Sequence, residues 1–548
     1  MTDDCDSTRA PGLLRIDLWG AFAITSPDGR DLTPRLAKGQ ALIAMLLTAR
    51  DGRRGRSWLQ AHLWSDRSKA QASASLRQAL AQIRKGLGPA ADIVASDRLT
   101  VRIDQSRIDI GAGRAGDEFL AGLDVRDEEF EDWLRQERAF QAAQTPPQPS
   151  QQPIAAPRLA RRSEPIVALS TTNAADTPLG AVELFLVDSV ARALRETFAV
   201  RIRTGTVPET EGEAVELRLA GSMSAPNCVF LSARCLGSRS SELIWSGHQS
   251  VRMAGAAPFE DLDLLAWING IVAAVADHLG RAPQATADRS CATRMGLVAL
   301  RDMFSLRPDR VAAADRMLAD AYRADARAIF LAWRAQLRIV QFVERHGHQA
   351  EALRTDGLLL TRKALAMEPG NSSVLALAAN AQVVFGHDLF ASDALSQRSV
   401  EANPGNPFAW WARSFSYTYS DRPDLALAAG EHGHRLAAGS PYRFWWDMQV
   451  AMSACAARRI DRAILAGERT IAFAGESRPT MRYLVGLHAG KGAVERSAHW
   501  ARRLRALEPD FTPDRLVTDG DYPASLLRRY APVSIDKLRP IGERIADA

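Results

Sequence analysis

Cysteine is scarce in this chain, with five among 548 residues. The five are widely spaced and none forms a Cys-x-x-Cys pair; they are Cys5, Cys228, Cys235, Cys291 and Cys455. Disulfide scaffolds and structural zinc sites depend on closely spaced or paired cysteines. The sequence therefore predicts neither, and it fits a reducing compartment.

Long apolar runs are also lacking. The two longest candidates, residues 41–49 and 264–276, are shorter than the ~20 residues that a membrane span needs. The first 12 residues are polar and acidic, without the apolar core of a signal peptide. These features predict a cytoplasmic protein that does not contact a membrane.

Several motifs of enzymes and metal proteins are missing. The stretch nearest to a Gly-x-x-x-x-Gly-Lys-Ser/Thr loop, residues 486–492 (GLHAGKG), is one residue short and ends in glycine. Two His-x-His pairs, at 346/348 and 432/434, have no cysteine or acidic cluster to complete a metal site. Neither His-Glu-x-x-His nor Gly-x-Ser-x-Gly occurs. We expect no enzymatic activity, no metal and no cofactor.

Glutamate is absent from the first 110 residues. This stretch has 17 Lys and Arg against 12 Asp, an excess of five that equals the net charge of the whole chain. Between Arg35 and Lys85 the imbalance is sharper, with 11 basic residues against Asp51 and Asp66. A concentrated basic region is typical of a protein with a polyanionic partner. A solvated basic surface is the alternative interpretation of the charge alone.

The order of elements in the N-terminal region predicts a fold. Residues 13–25 alternate as strands do, and a turn (SPDGRD) follows. Three amphipathic stretches, 35–50, 57–64 and 69–88, predict helices, and residues 92–104 predict a hairpin. Strands, three helices and a hairpin are the order of a winged helix-turn-helix with an N-terminal sheet. We assign this domain to residues 12–106.

The third predicted helix has the pattern of a DNA-reading helix. Leu76, Leu80, Ile83 and Leu87 form one apolar stripe that should be buried. The residues predicted to read bases or flank the reading face are Gln71, Ser73, Ala74, Arg77, Gln78, Gln82, Arg84 and Lys85. Those predicted to contact phosphates are Arg53, Arg54, Arg56, Arg67, Lys69 and Arg98. The alternative is a core helix with a solvated polar face.

The rest of the chain predicts three further regions. Residues 107–143 contain an acidic helical segment (117–140), and residues 144–163 are a Pro/Gln-rich linker. Residues 164–283 alternate predicted strands and helices, as an α/β domain does. Residues 292–530 are helical, with Pro369, Pro404, Pro441, Pro479 and Pro509 recurring at intervals of 30 to 38 residues. That period is typical of tetratricopeptide repeats, and a non-repetitive helical bundle is the alternative. The fold class is multidomain and mainly α.

A family resemblance is visible in the N-terminal motifs. The pieces LLRIDLWGAFAI, HLWSD and SLRQALAQIRKGLG resemble the OmpR-type DNA-binding domain of SARP-type bacterial transcriptional activators. The resemblance implies that 70–87 is the recognition helix and 92–104 the wing. The stretch DEFLAGLDVRDEEFEDWLRQER resembles the start of the activator domain that follows in that family, and the linker then interrupts it. Residues 164–281 resemble a TolB-like domain, and tetratricopeptide repeats close the same kind of architecture.

Two main functions follow from these patterns. In the first, the protein is a sequence-specific transcriptional regulator that binds double-stranded DNA and uses its C-terminal repeats for a protein or signal, with RNA polymerase as one candidate partner. In the second, it is a cytoplasmic tetratricopeptide adaptor whose N-terminal domain binds protein instead of DNA. A third hypothesis makes the α/β domain a small-molecule sensor.

Overall fold

The computed structural model describes residues 13–49, 52–111, 117–144, 164–174, 176–205, 214–225, 227–237, 242–252, 261–281, 291–347 and 349–546. Helices far outnumber strands in these residues, and the chain divides into two compact units. The first unit contains residues 1–152 and 387–391, and the second contains 153–386 and 392–548. The prediction of a mainly α, multidomain protein is confirmed.

The first unit begins with strands and continues with three helices and a hairpin. Its elements are β1 (Leu14–Asp17), β2 (Ala23–Thr25), α1 (Ala37–Leu47), β3 (Arg53–Gly55), α2 (Arg56–Leu63), α3 (Lys69–Leu87), β4 (Val94–Ser96), β5 (Thr100–Ile103), β6 (Ile108–Ile110) and α4 (Glu128–Gln144). They form two three-stranded sheets, with strand orders β2-β1-β6 and β3-β5-β4. The three predicted helices and the predicted hairpin are all present.

Two elements of this unit differ from the sequence-based expectation. The basic loop before the second helix contains a strand, because Arg53 to Gly55 pair with β5 of the hairpin. The acidic helix expected at 117–140 begins only at Glu128, since Phe119 forms a bridge with Trp19 and the backbone turns at Gly122 with φ +73°. In both places, pairing with distant residues overrides the local pattern.

A single apolar core holds the first unit together. Leu42 and Leu46 of α1 and Leu59 and Leu63 of α2 are all fully buried. The same core includes Val101 of β5, so the hairpin packs against the helices. Burying an aliphatic side chain of this size contributes about 1.5–3 kcal/mol, and this burial sets the direction in which the helices face.

The second unit begins with an α/β layer. Its elements are β7 (Ile166–Thr171), α5 (Pro178–Thr197), β8 (Arg201–Thr204), β9 (Ala214–Ala225), β10 (Cys228–Gly237), β11 (Leu243–Arg252) and α6 (Leu262–Arg281). The sheet order is β11-β10-β9-β7-β8. Strand β7 is parallel to both of its neighbours, β8 and β9. Strand β10 is antiparallel to both of its neighbours, β9 and β11. α5 and α6 pack against the sheet in one apolar core.

Helices joined by short turns complete the second unit, apart from the first three residues of α12, which belong to the first unit. They are α7 (Ala292–Phe304), α8 (Pro308–Ala324), α9 (Ala328–Val343), α10 (Ala350–Met367), α11 (Ser372–Val384), α12 (Leu389–Ala402), α13 (Pro407–Tyr419), α14 (Pro423–Leu436), α15 (Phe444–Ala456), α16 (Ile460–Phe473), α17 (Arg478–Gly490), α18 (Val494–Leu507), α19 (Arg515–Thr518), α20 (Ser525–Tyr530) and α21 (Ile535–Ala546). Pairs such as α13 with α14 and α17 with α18 pack along their lengths. The recurring prolines lie in the turns between helices or in a first turn.

Of the described helices, only α6 has the length and apolar composition of a membrane span, with a mean hydropathy of 1.4. It packs against the sheet through Leu264, Ile268, Ile271 and Val275, which are all buried. Packing against the sheet accounts for this face of the helix, and 28% of its apolar window is buried.

Two helical glycines test how tightly the helix pairs pack. Gly357 of α10 lies against the Phe385 ring, and an added Cβ would come within 2.7 Å of it, whereas Gly542 of α21 faces open space. We expect Gly357→Ala to lower the free energy of unfolding by about 1–3 kcal/mol and Gly542→Ala to raise it by up to about 1 kcal/mol. Thermal unfolding of the two full-length variants measures both effects. Equal stabilisation by both changes would contradict the close packing at Gly357.

Candidate nucleic-acid interface

The apolar stripe of α3 lies where the sequence predicted. Leu76, Leu80, Ile83 and Leu87 are all buried, none more than 2% exposed. The side chains on the opposite face are exposed to solvent; they are Gln71, Ala74, Arg77, Gln78, Gln82 and Lys85. The predicted register of the helix is thus confirmed. Ser73 and Arg84, expected on the flanks, are half-buried.

The N-terminus of α3 is fixed by a capping box. The Ser68 hydroxyl oxygen accepts a hydrogen bond from the backbone N–H of Gln71, and the Gln71 side-chain oxygen accepts one from the backbone N–H of Ser68 (3.2 Å). This arrangement satisfies two backbone donors that a helix start otherwise leaves unpaired. Gln71 is exposed as expected, and its carboxamide oxygen is engaged in the cap.

Arg67 lies along the first turns of α3. Its guanidinium donates to the Ser75 hydroxyl (2.8 Å), and Ser75 in turn donates to the carbonyl oxygen of Gln71 (2.9 Å). The Arg67 side chain is nevertheless exposed. It therefore presents a positive charge at a fixed position beside the start of the helix, which suits contact with a phosphate.

Arg84 connects α3 to the hairpin. Its Nε donates to the carbonyl oxygen of Val94 (2.9 Å), and a terminal nitrogen donates to the Ser96 hydroxyl (2.9 Å). The sequence predicts Arg84 beside the reading face, and these two hydrogen bonds hold its side chain against the hairpin. The side chain orients β4 relative to the helix instead of extending freely into solvent.

Two arginines of α3, Arg77 and Arg84, lie within electrostatic reach of Arg56 on α2. Arg56 begins α2, and its pKa is lowered by burial and by the positive charges of Arg77 and Arg84, with Asp97 acting in the opposite direction. Its backbone N–H donates to the carbonyl oxygen of Leu99 at the hairpin (2.8 Å). Like charges that oppose each other in the free protein create a positive potential that an anion would relieve.

The other predicted phosphate contacts fall into different environments. The Arg54 guanidinium covers the Trp58 ring at 4.4 Å, and its Nε donates to the carbonyl oxygen of Met45 (3.3 Å), so the side chain packs within the unit. Arg53 is half-buried on β3. Arg98 is exposed at the hairpin turn, where the Asp97 carboxylate accepts from the backbone N–H of Thr100 (2.7 Å). Lys69 begins α3, and its side chain lies outside the described residues.

A groove of about 1020 Å³ runs beside α3, which the sequence did not indicate. Gln78, Gln82 and Lys85 line it from the helix, and residues 31–39 and 124–126 line it from the other side. The helix and the facing segments are distant in sequence and meet only in the fold. One edge of the predicted reading face therefore borders a concave surface.

No family model matches the sequence, and no curated protein matches it either.

One Gly-x-Gly-x-x-Gly pattern, at 111–116, follows β6 in the chain. Residues 117–127 after it are not helical, so the strand–turn–helix context of a dinucleotide site is missing. Within the described part of the chain, no group of three His, Cys, Asp or Glu side chains could hold a metal ion.

The capping box makes a specific prediction about α3. Ser68→Ala removes the acceptor for the Gln71 N–H, so we expect a loss of about 1 kcal/mol in local stability. Hydrogen exchange of the first-turn amides measures it, because those amides open first when the cap is lost. Ser73→Ala on the same helix is the matched control and should leave the exchange unchanged. Equal exchange in the two variants would contradict a capping role for Ser68.

Proposed function

We propose that the protein is a DNA-binding transcriptional regulator whose first unit is a winged helix-turn-helix that docks on double-stranded promoter DNA. The observation that carries the proposal is the exposed face of α3. This face has no carboxylate and lies beside the cluster formed by Arg56, Arg77 and Arg84. A carboxylate there would repel phosphates, whereas arginines attract them.

The residues proposed to read base pairs are side chains of α3 that are exposed to solvent. A helix is narrow enough to enter the major groove of B-DNA, and the side chains that reach base edges are those facing out. Gln78 and Gln82 are exposed one helical turn apart and can each pair with adenine, and Arg77 can pair with guanine. Ala74 offers no bulk that would hold the helix away from the groove.

The proposed phosphate contacts surround this face. Arg67 supports the start of α3, Lys85 lies near its end, and Arg98 projects from the hairpin that would act as the wing. These contacts would fix the register of the helix without reading sequence, which separates positioning from specificity.

The finer architecture belongs to the same proposal. The resemblance to SARP-type activators supports a regulator in which 164–283 is a TolB-like domain and 292–530 carries tetratricopeptide-like repeats in the cytoplasm. Helix pairs of this kind present a continuous surface to a protein ligand. A protein partner, with RNA polymerase as one candidate, would bind there.

The groove beside α3 favours a second candidate function, that of an adaptor whose N-terminal domain binds protein. Gln78 and Gln82 line this groove as well as the proposed reading face. Leu36, just before α1, lines the opposite wall and is 56% exposed. An extended peptide could occupy the groove through such apolar contacts. DNA and peptide would then compete for the same side of α3.

DNA binding can be tested by mapping the bound genomic sites and then measuring affinity for one of them. We expect Gln78→Ala to cost about 1–3 kcal/mol at the bound sequence and to relax the preference for one base pair, because a bidentate contact is lost. Affinity for a scrambled duplex should change little. Gel-shift titrations of both duplexes provide the comparison.

Arg67→Ala and its matched control distinguish a phosphate contact at α3 from the general positive charge of the unit. Because Arg67 is proposed to neutralise a phosphate, its loss should flatten the log–log dependence of affinity on salt by roughly 0.9. Arg30→Ala removes an exposed arginine that pairs with Asp28 in a turn of the same unit, and it should leave the slope unchanged. An equal slope change in both variants would argue for non-specific attraction. Absence of DNA binding together with capture of a peptide would favour the adaptor.

A further inference from the structure

A cavity of about 340 Å³ lies between the α/β layer and the helix pairs of the second unit. Helices α5, α6, α7, α9, α13 and α15 contribute to its wall, together with the turn before α15. A packed protein interior has few voids larger than a water molecule, and this cavity has room for about ten waters. Its volume falls in the range of small-molecule sites, roughly 300–1,000 Å³.

Aromatic rings form much of the wall. The rings of Phe304 and Tyr442 stack with centroids 4.3 Å apart, and the ring centroid of Phe408 is 4.8 Å from that of Trp446 and 5.2 Å from that of Trp333. Each ring is held by another ring, so the wall is formed before a ligand arrives. Apolar walls of this kind bind planar apolar groups and hold water poorly.

Three charged residues at the rim of the cavity, Asp277, Arg281 and Arg301, are exposed, and they differ in their ion pairs. Asp277 and Arg281 of α6 form an ion pair (2.8 Å). Arg301 forms no ion pair with a described carboxylate. Burial raises the pKa of Tyr442 to about 12; the positive charge of Arg301 opposes that rise, and the negative charges of Asp277 and Asp302 add to it. Arg301 therefore lies close to the aromatic wall, and of the two arginines that line the cavity it is the one without an ion-pair partner among the described residues.

The one carboxylate deeper in the wall is already occupied by the protein. Glu196, near the end of α5, accepts a hydrogen bond from the Asn403 side chain (2.8 Å) and another from the backbone N–H of Ser372. These bonds join α5 to the helix pairs. Glu196 consequently does not offer a free negative charge to a ligand.

From this arrangement we propose that the cavity binds a small planar apolar molecule that carries a carboxylate or a similar anionic group. Its ring would lie among Phe304, Phe408 and Trp446, and its anion would lie towards Arg301. The ligand would touch α6 of the α/β layer and the helix pairs at once, so its binding would stabilise their contact. The site is independent of DNA binding by the first unit.

The test uses the full-length protein with 1-anilinonaphthalene-8-sulfonate as a fluorescent probe. We expect one saturable site per chain, with displacement of the probe by 1-naphthoate at lower concentration than by neutral 1-naphthamide. Ala276 lines the cavity from α6, so Ala276→Phe should weaken probe binding by at least about ten-fold, because an inserted ring occupies the space. Ala274 is also half-buried on α6 but does not line the cavity, and Ala274→Phe should leave binding unchanged.

Arg301→Gln changes an exposed residue, so it still tests the proposed site if the Ala276→Phe protein does not fold. Arg301→Gln should weaken 1-naphthoate by about two- to five-fold, the effect of an exposed ion pair, and leave 1-naphthamide unchanged. Non-saturable binding of the probe, or equal binding by the Ala276→Phe and Ala274→Phe proteins, would overturn the site. Equal competition by the acid and the amide in the unmodified protein would overturn the assignment of an anionic ligand.

Discussion

The burial of one apolar stripe on α3 is the constraint on which the first unit depends. Four aliphatic side chains of this helix enter the same core as α1, α2 and the hairpin. Rotating the helix about its axis would expose them at a cost of about 1.5–3 kcal/mol for each side chain. The polar face is therefore fixed in direction before any ligand is present. The proposed DNA interface is a consequence of core packing.

Polar tethers then decide which basic residues remain available on that fixed helix. Arg84 is held by Val94 and Ser96, Arg54 stacks on Trp58, and the Gln71 oxygen closes the cap. These three side chains support the shape of the interface. Arg77, Gln78 and Lys85 are exposed, so a partner would meet them first.

The periodicity of the sequence was sufficient to predict α1, α2 and α3 and the register of α3, because helix formation and burial are encoded within a few turns. It was not sufficient for β3 or β6, whose three residues each become strands only by pairing with β5 and β1. It also could not distinguish Arg84 from Arg77, since both flank the same face. Their difference depends on hydrogen-bond acceptors that the hairpin brings close.

In the second unit, too, contacts between residues distant in sequence could not be predicted from local periodicity. One face of α6 packs on the sheet, while Asn269 on another face donates to the carbonyl oxygens of Gly405 (2.9 Å) and Leu436 (3.2 Å). Gly439 lies close to Gly270 of α6: a Cβ added to Gly439 would be 2.8 Å from the Cα of Gly270. Helix α13 is rich in aromatic residues, and its Trp411 is buried in the helical core. Phe408, three residues earlier, also lines a cavity, because the α/β layer approaches the helix pairs there without filling the space between them.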